Sequence, residues 1–138
     1  MSLVKHKSLA LVVASMGLAA VLGGSLGLAA AGVKQPLSAG FNLVGGPLGS
    51  GASDPGVAPD QFVACLPAGS WNAVYIWDGS AQQWQHYFNT GVTGIPAYVN
   101  GVSSGGINII PRFAGVVMIM NQAVSNPRLK DTNNESCG

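Results

Sequence analysis

Charged residues are scarce in this sequence. Of its 138 residues only six are basic and five are acidic, which leaves a formal net charge of +1. Nucleic-acid surfaces need clustered Lys and Arg against the phosphates, so no nucleic-acid partner is expected. The chain also has only two histidines and two cysteines. A zinc site usually needs three or four His, Cys or carboxylate ligands, so neither a metal site nor a cofactor is predicted.

The first third of the chain lacks charge almost entirely. No charged residue stands between Lys7 and Lys34, and residues 9–31 are apolar or small and end in three alanines. A basic start, an apolar stretch and small residues at the cleavage positions are typical of a secretory signal peptide. We predict a signal peptide over residues 1–31, cut before Gly32. The alternative is an uncleaved anchor, since about twenty apolar residues can span a bilayer, and a membrane partner is expected only in that case.

The remaining chain is predicted to form one exported domain. Residues 32–124 are expected to be a β-rich extracellular module, and residues 125–138 a polar C-terminal tail that is loose unless a disulfide tethers it. The only two cysteines are Cys65 and Cys137, and an even pair in an oxidising compartment indicates a disulfide. Two free thiols are the alternative.

Long amphipathic helices are also missing, and short apolar or alternating runs separated by Gly, Pro and Asn favour strands. We predict an all-β or mostly β fold, a small antiparallel sandwich or partly open barrel with one short helix. The clearest element is a hairpin of residues 73–77 and 83–88, joined through Asp78 and Gly79. Further predictions are strands over residues 40–45, 106–110 and 115–121 and a helix over 59–66. The apolar run 116–120 is expected to form a central strand covered on both faces.

Ten aromatic residues all lie beyond position 40, and several share the hairpin. Period two separates Val74 and Ile76 from Tyr75 and Trp77. We predict that Trp84 packs in the core opposite Val74 or Ile76, which leaves Tyr75 and Trp77 as a binding platform. The full set of candidate binding residues is Tyr75, Trp77, Trp71 and Tyr98. The alternative for each ring is packing in the core.

One catalytic pattern is present, Gly-x-Ser-x-Gly at residues 101–105. This pattern works as a nucleophile elbow only on a large sheet with a histidine partner. His86 is the only histidine beyond the signal peptide, and the chain is too short for such a sheet. No catalytic residue is therefore predicted, and the hydrolase that Ser103 would imply is the weakest alternative.

The order of motifs resembles a recurrent secreted module of bacterial and archaeal surface proteins. That module runs Gly-Trp-Asn-Leu-(Val/Ile)-Gly, aromatic-Asp, Trp-x-x-Tyr, Pro-Ala-aromatic-Val-Asn and Gly-x-Tyr-Trp-Ile. The matching segments are residues 40–45, 74–78, 84–87 and 96–100, whereas the closing motif at 114–118 lacks its aromatic pair. The resemblance covers most of residues 37–120. It implies an all-β domain without enzymatic activity and with an accessory, adhesive or structural role.

Taken together, these features predict an exported, non-catalytic binding or adhesion module of the cell surface or extracellular matrix. Its expected partner is a glycan or a neighbouring surface protein. The alternative is a structural surface-layer or matrix component that associates through strand edges and has no small ligand.

Overall fold

The protein is mostly β in a computed structural model that describes residues 36–49, 51, 53–131 and 136–137. The predicted signal peptide lies outside the described residues. The strands are β1 (Gly40–Gly45), β2 (Gly56–Val57), β3 (Trp71–Asp78), β4 (Gln83–Phe88), β5 (Ile110–Pro111) and β6 (Gly115–Met120). Between them lie two four-residue helices, α1 (Pro59–Phe62) and α2 (Thr90–Thr93), and two 3₁₀ turns, Ala97–Asn100 and Val102–Ser104.

Four strands form one antiparallel sheet in the order β1-β6-β3-β4, and β2 pairs with β5 in a separate antiparallel ribbon. The last strand, β6, therefore lies between the first strand and the hairpin. The predicted β-rich antiparallel fold is confirmed, with two short helices in place of one. The strand predicted over residues 106–110 is wrong in extent, because the observed strand β5 begins only at Ile110. Among the described residues, none of the helices has the length and apolar character needed to cross a bilayer.

The core lies on one face of the large sheet, which we call the inner face. Period two directs Val74 on β3 and Val116 and Met118 on β6 to this face, and all three are fully buried. Val57 from β2 and Ile110 from β5 join them in the same cluster. The small ribbon therefore covers the inner face as the second layer of a sandwich.

One glycine permits the close approach of the two strands in the ribbon. Gly56 has φ +122°, and a Cβ at this position would lie 2.0 Å from the carbonyl oxygen of Ile110. Any side chain would therefore push β2 away from β5.

Helix α1 forms where the sequence predicts it, but it is shorter. Pro59 occupies the first turn, where its missing N–H costs nothing, and regular helix ends at Phe62. The following turn carries Cys65, which is bonded to Cys137 with a Cα–Cα distance of 5.2 Å. The predicted disulfide is therefore confirmed.

The segment after β6 is docked on the body, at least as far as Lys130. The Lys130 backbone N–H donates to the carbonyl oxygen of Phe62 at 3.1 Å, and both Pro127 and Lys130 are buried. Leu129 packs against the core cluster. Apolar contacts and a backbone hydrogen bond therefore hold this part of the segment in place, in addition to the disulfide at Cys137.

The predicted hairpin is confirmed as β3 and β4. A four-residue loop joins Asp78 to Gln83, which are directly paired. The Asp78 Oδ1 accepts hydrogen bonds from the Ser80 hydroxyl and from the backbone N–H groups of Ser80 and Ala81. The hydrogen bond from the Ser80 hydroxyl is the main reason that the pKa of Asp78 is below its ordinary value. The loop therefore has a fixed geometry, and it sets the register of the whole hairpin.

Candidate functional site

The outer face of the four-stranded sheet, opposite the core, is apolar and open. Strand register brings the small side chain of Ala73 and nine larger side chains to this outer face, and the nine larger ones form its surface. They are Phe41 and Leu43 on β1, Val117 and Ile119 on β6, Tyr75 and Trp77 on β3, and Trp84, His86 and Phe88 on β4. None of the nine is an Asp, Glu, Lys or Arg.

Four of these side chains are more exposed than large apolar residues usually are. Phe41 is 69% exposed, Leu43 62%, Trp84 54% and Trp77 48%. If each offers about half or more of a 150–250 Å² side chain, they expose roughly 500 Å² together. The largest apolar patch on a typical monomer is about 300–600 Å². Since the five half-buried neighbours add to the area, the outer face is at the upper end of that range, where interaction sites are found.

Two pairs of aromatic rings on the outer face pack against each other at steep angles, and a third pair, His86 and Phe88, is tilted by 37°. The ring centroids of Trp77 and Trp84 are 5.5 Å apart with an interplanar angle of 67°. Tyr75 and Phe88 meet edge to face, 6.0 Å apart at 89°. Such contacts stabilise aromatic pairs, and they fix a corrugated surface instead of a row of coplanar rings.

The predicted position of Trp84 is wrong. It pairs with Trp77 across the hairpin, not with Val74 or Ile76, and it belongs to the exposed outer face. The prediction assumed a register one residue away from the observed one, and a one-residue shift moves every side chain to the opposite face. Tyr75 and Trp77 do project from the face opposite Val74 and Ile76.

The prediction for residues 116–120 is correct in position and wrong in burial. Strand β6 is central, between β1 and β3. Its inner residues Val116, Met118 and Met120 are buried, but Val117 and Ile119 are only half-buried on the outer face. An apolar strand was expected to be covered twice, and among the described residues only one of its faces is covered.

Trp71 lies away from the outer face. It is 8% exposed, on the inner side of β3, and its ring stacks on Tyr87 at 5.9 Å with an interplanar angle of 17°. The two rings line a cleft of about 490 Å³. The other lining residues are Asp60, Val63, Ala64, Ala68, Gly69, Asn89, Gly91 and Val92. Because Trp71 is almost fully buried, its ring faces belong mostly to the protein interior.

The cleft contains one group with a perturbed pKa. Burial raises the pKa of Tyr87 above its ordinary value, and the charge of Asp60 raises it further. Both effects disfavour a tyrosinate, so Tyr87 keeps its proton and presents a neutral hydroxyl.

Tyr98 is the most exposed of the predicted binding residues, at 75%. It lies in the 3₁₀ turn Ala97–Asn100, alongside β4. The amide of Asn100 in the same turn pairs with the backbone of Phe88, receiving from its N–H at 2.7 Å and donating to its carbonyl at 2.9 Å. The Asn of the Pro-Ala-aromatic-Val-Asn motif therefore has a structural role, which is to fasten this turn to the edge of β4.

The geometry around Ser103 and His86 is not that of a nucleophile and its base. The Nε2 of His86 lies 3.0 Å from the carbonyl oxygen of Val99. A carbonyl only accepts, so Nε2 carries the proton and donates it there. Ser103 lies in the 3₁₀ turn Val102–Ser104, and no hydrogen bond joins it to His86 among the described residues. In the same part of the chain no three His, Cys, Asp or Glu side chains lie close enough to hold a metal ion.

Sequence reasoning missed Phe41 and Leu43 as members of the candidate site. Their alternation with Asn42 and Val44 was a signal that they share a face. Their position beside the hairpin aromatics depends on β6 pairing with both β1 and β3, and no local pattern specifies these long-range pairings.

No protein-family model matches this chain, and neither a curated protein nor a solved structure matches it.

Proposed function

We propose that this protein is an exported, non-catalytic binding or adhesion module of the cell surface or extracellular matrix, and that it binds through the outer face of its sheet. The observation that carries this proposal is the continuous apolar and aromatic surface across all four strands. Exposure of such a face to water costs free energy, and a partner that covers the face removes that cost.

The proposed partner is a neighbouring surface protein that offers an uncharged apolar patch. Sugar binding draws on flat aromatic faces and several directional hydrogen-bonding groups. Here Trp77 and Trp84 are inclined at 67°, and the His86 Nε2 is already occupied by Val99. Interdigitating side chains of a protein partner fit a corrugated apolar surface better than a sugar ring does.

Export is supported by the disulfide between Cys65 and Cys137. Disulfides persist in oxidising compartments and are rare in the cytosol. Together with the N-terminal sequence, this bond supports a secreted or cell-surface location. The resemblance to a secreted surface module supports the same role.

The experiment is recovery of the protein from the culture medium and cell surface, with bound molecules identified by mass spectrometry. It compares the wild type with Trp77→Ser and Trp84→Ser. Phe113→Ser is the matched control, because Phe113 is a 67% exposed aromatic in the turn before β6 instead of on the outer face. We expect the wild type and the control to retain the same surface protein, and both outer-face variants to lose it.

Two results would contradict the proposal. Equal retention by all four proteins would show that the outer face is not the binding surface. Binding to purified cell-wall polysaccharide without any protein partner, abolished by the same two tryptophan changes, would identify the ligand as a glycan.

A further inference from the structure

The two edge strands of the large sheet, β4 and β1, differ in whether their outward backbone groups form hydrogen bonds within the part of the chain that the structure describes. The outer edge of β4 is covered by the segment that follows it. The backbone of His86 pairs with Gly105 and Ile107 at 3.1 and 2.9 Å, and the backbone of Phe88 pairs with the Asn100 amide. These four hydrogen bonds close most of that edge.

The outer edge of β1 has no such cover among the described residues. The N–H of Gly46 donates to Ala114 on the β6 side, and inward and outward groups alternate along an antiparallel strand. Asn42 and Val44 therefore direct their backbone groups to β6, whereas Phe41 and Leu43 direct theirs away from it. None of the hydrogen bonds formed by the described residues uses the outward N–H and C=O groups of Phe41 and Leu43.

Strand β1 also lacks the devices that usually prevent edge pairing. Charged residues, prolines and bulges are the common protections, and the six residues GFNLVG contain no charge and no proline. Its register with β6 is regular from Gly40 to Gly45. An extended, uncharged edge of this kind is a template for another strand.

We propose that a second copy of this chain pairs with β1, antiparallel and about a two-fold axis at Asn42. In this register Phe41 faces the partner subunit's Leu43, and Leu43 faces the partner subunit's Phe41. Their outward backbone groups then form four intermolecular hydrogen bonds. The two sheets become one of eight strands, and the two outer faces join into one continuous surface.

Self-pairing is favoured because this edge is complementary to itself. The two-fold register places an aromatic side chain opposite an aliphatic one twice, a cross-strand combination that stabilises sheets. Phe41 and Leu43 are 69% and 62% exposed, so the four side chains of two copies expose on the order of 500 Å² in all. Strand pairing covers only the part of this area that meets the partner strand, well below a standard interface. The dimer is therefore weak and depends on protein concentration.

Sedimentation equilibrium of the exported protein, over a range up to about 1 mM, tests the dimer and its weak affinity. Leu43→Pro removes an outward N–H without removing a bond to β6, and Leu43→Lys places a charge at the edge. Trp84→Lys is the control, because it puts the same charge on the outer face of β4, at the other side of the sheet. We expect both Leu43 variants to raise the dissociation constant about tenfold or more, and the control to stay within about twofold. Thermal unfolding checks that each variant is folded.

Cross-linking locates the two-fold axis. Residues facing each other in a non-hydrogen-bonded pair have Cα atoms about 4.5 Å apart, within the range that a disulfide spans. Asn42→Cys should therefore give a covalent dimer under mild oxidation, whereas Ser80→Cys in the exposed hairpin loop should not.

The proposal is overturned if the wild type stays monomeric throughout, or if Asn42→Cys forms no more covalent dimer than Ser80→Cys. Loss of the dimer in Trp84→Lys but not in the Leu43 variants would also overturn it, in favour of contact between outer faces. A wild type that stays monomeric and still retains its surface-protein partner would overturn the dimer and leave the proposed function intact, so the two proposals fail separately.

Discussion

Removal of the Cys65–Cys137 disulfide should cost this protein a large part of its stability. The two residues are 72 apart in the sequence. In the chain-entropy treatment, a cross-link that closes a loop of this length destabilises the unfolded state by about 4 kcal/mol near room temperature. A single domain has only about 5–15 kcal/mol of total stability. The bond therefore accounts for a substantial fraction of it.

The structure indicates that the loss will come close to this figure. Removing the bond raises the conformational entropy of the unfolded chain. If the native state also became more mobile, its own gain in entropy would offset part of this effect, and the loss of stability would be smaller. Here the chain stays attached as far as Lys130, whose backbone N–H donates to Phe62 and whose side chain is buried. We therefore expect the double variant Cys65→Ser/Cys137→Ser to be less stable by about 3–4 kcal/mol.

Urea unfolding followed by tryptophan fluorescence measures the difference. A reducing agent should lower the midpoint of the wild type to that of the double variant and leave the variant unchanged. Thiol labelling of the denatured, unreduced wild type should be negligible. A double variant within about 1 kcal/mol of the wild type would refute the reasoning, because the bond would then not restrict the unfolded chain as calculated.

Three further predictions concern single positions. Gln82 has φ 54° in the hairpin loop, a strain that glycine relieves, but its side-chain amide donates to the Gly79 carbonyl and glycine adds entropy to the unfolded chain. Gln82→Gly should therefore leave the stability within about 0.5 kcal/mol of the wild type, whereas Gln83→Gly in the adjoining strand should destabilise by about 1 kcal/mol. Equal losses in urea unfolding would show that the loop is unstrained. The Ser70 hydroxyl is buried and has no hydrogen-bond partner among the described residues, so Ser70→Ala should be neutral or stabilising by about 1 kcal/mol, and a loss above that size would reveal a partner. Burial and the charge of Asp60 raise the pKa of Tyr87 above 10.0 in the folded protein. The folded state therefore holds the tyrosine proton more tightly than the unfolded chain does. The stability that this contributes is fully present below pH 10.0 and is lost as the pH rises through the folded-state pKa. Ultraviolet titration of tyrosinate should show Asp60→Asn lowering that pKa only in part, and no movement at all would remove Asp60 as a cause.

The hairpin and the disulfide were predictable from the sequence because each depends on little else. A turn that begins with Asp78 and Gly79 is specified within a few residues, since the carboxylate bonds to backbone groups two and three positions ahead. The disulfide followed from the count, because only two cysteines are available to pair. The β-rich class followed from short apolar runs between Gly, Pro and Asn.

The face on which Trp84 lies was decided by the loop conformation. The strand pattern requires only that Trp84, His86 and Phe88 share a face; it does not say which. A four-residue loop with Gln82 at positive φ closes the pair Asp78–Gln83 and so places Trp84 beside Trp77. A register shifted by one residue fits the local sequence equally well and puts the same ring in the core.

The candidate site as a whole was decided by the tertiary structure. The sequence by itself determined that Phe41 and Leu43 share a face, and that Val117 and Ile119 share another. Only the pairing of β6 with both β1 and β3 made these one outer face with the hairpin aromatics. The inner face is buried because the ribbon of β2 and β5 covers it. Burial of one apolar face in preference to an equally apolar one depends on where distant segments pack, and residue patterns along a single strand carry no information about that.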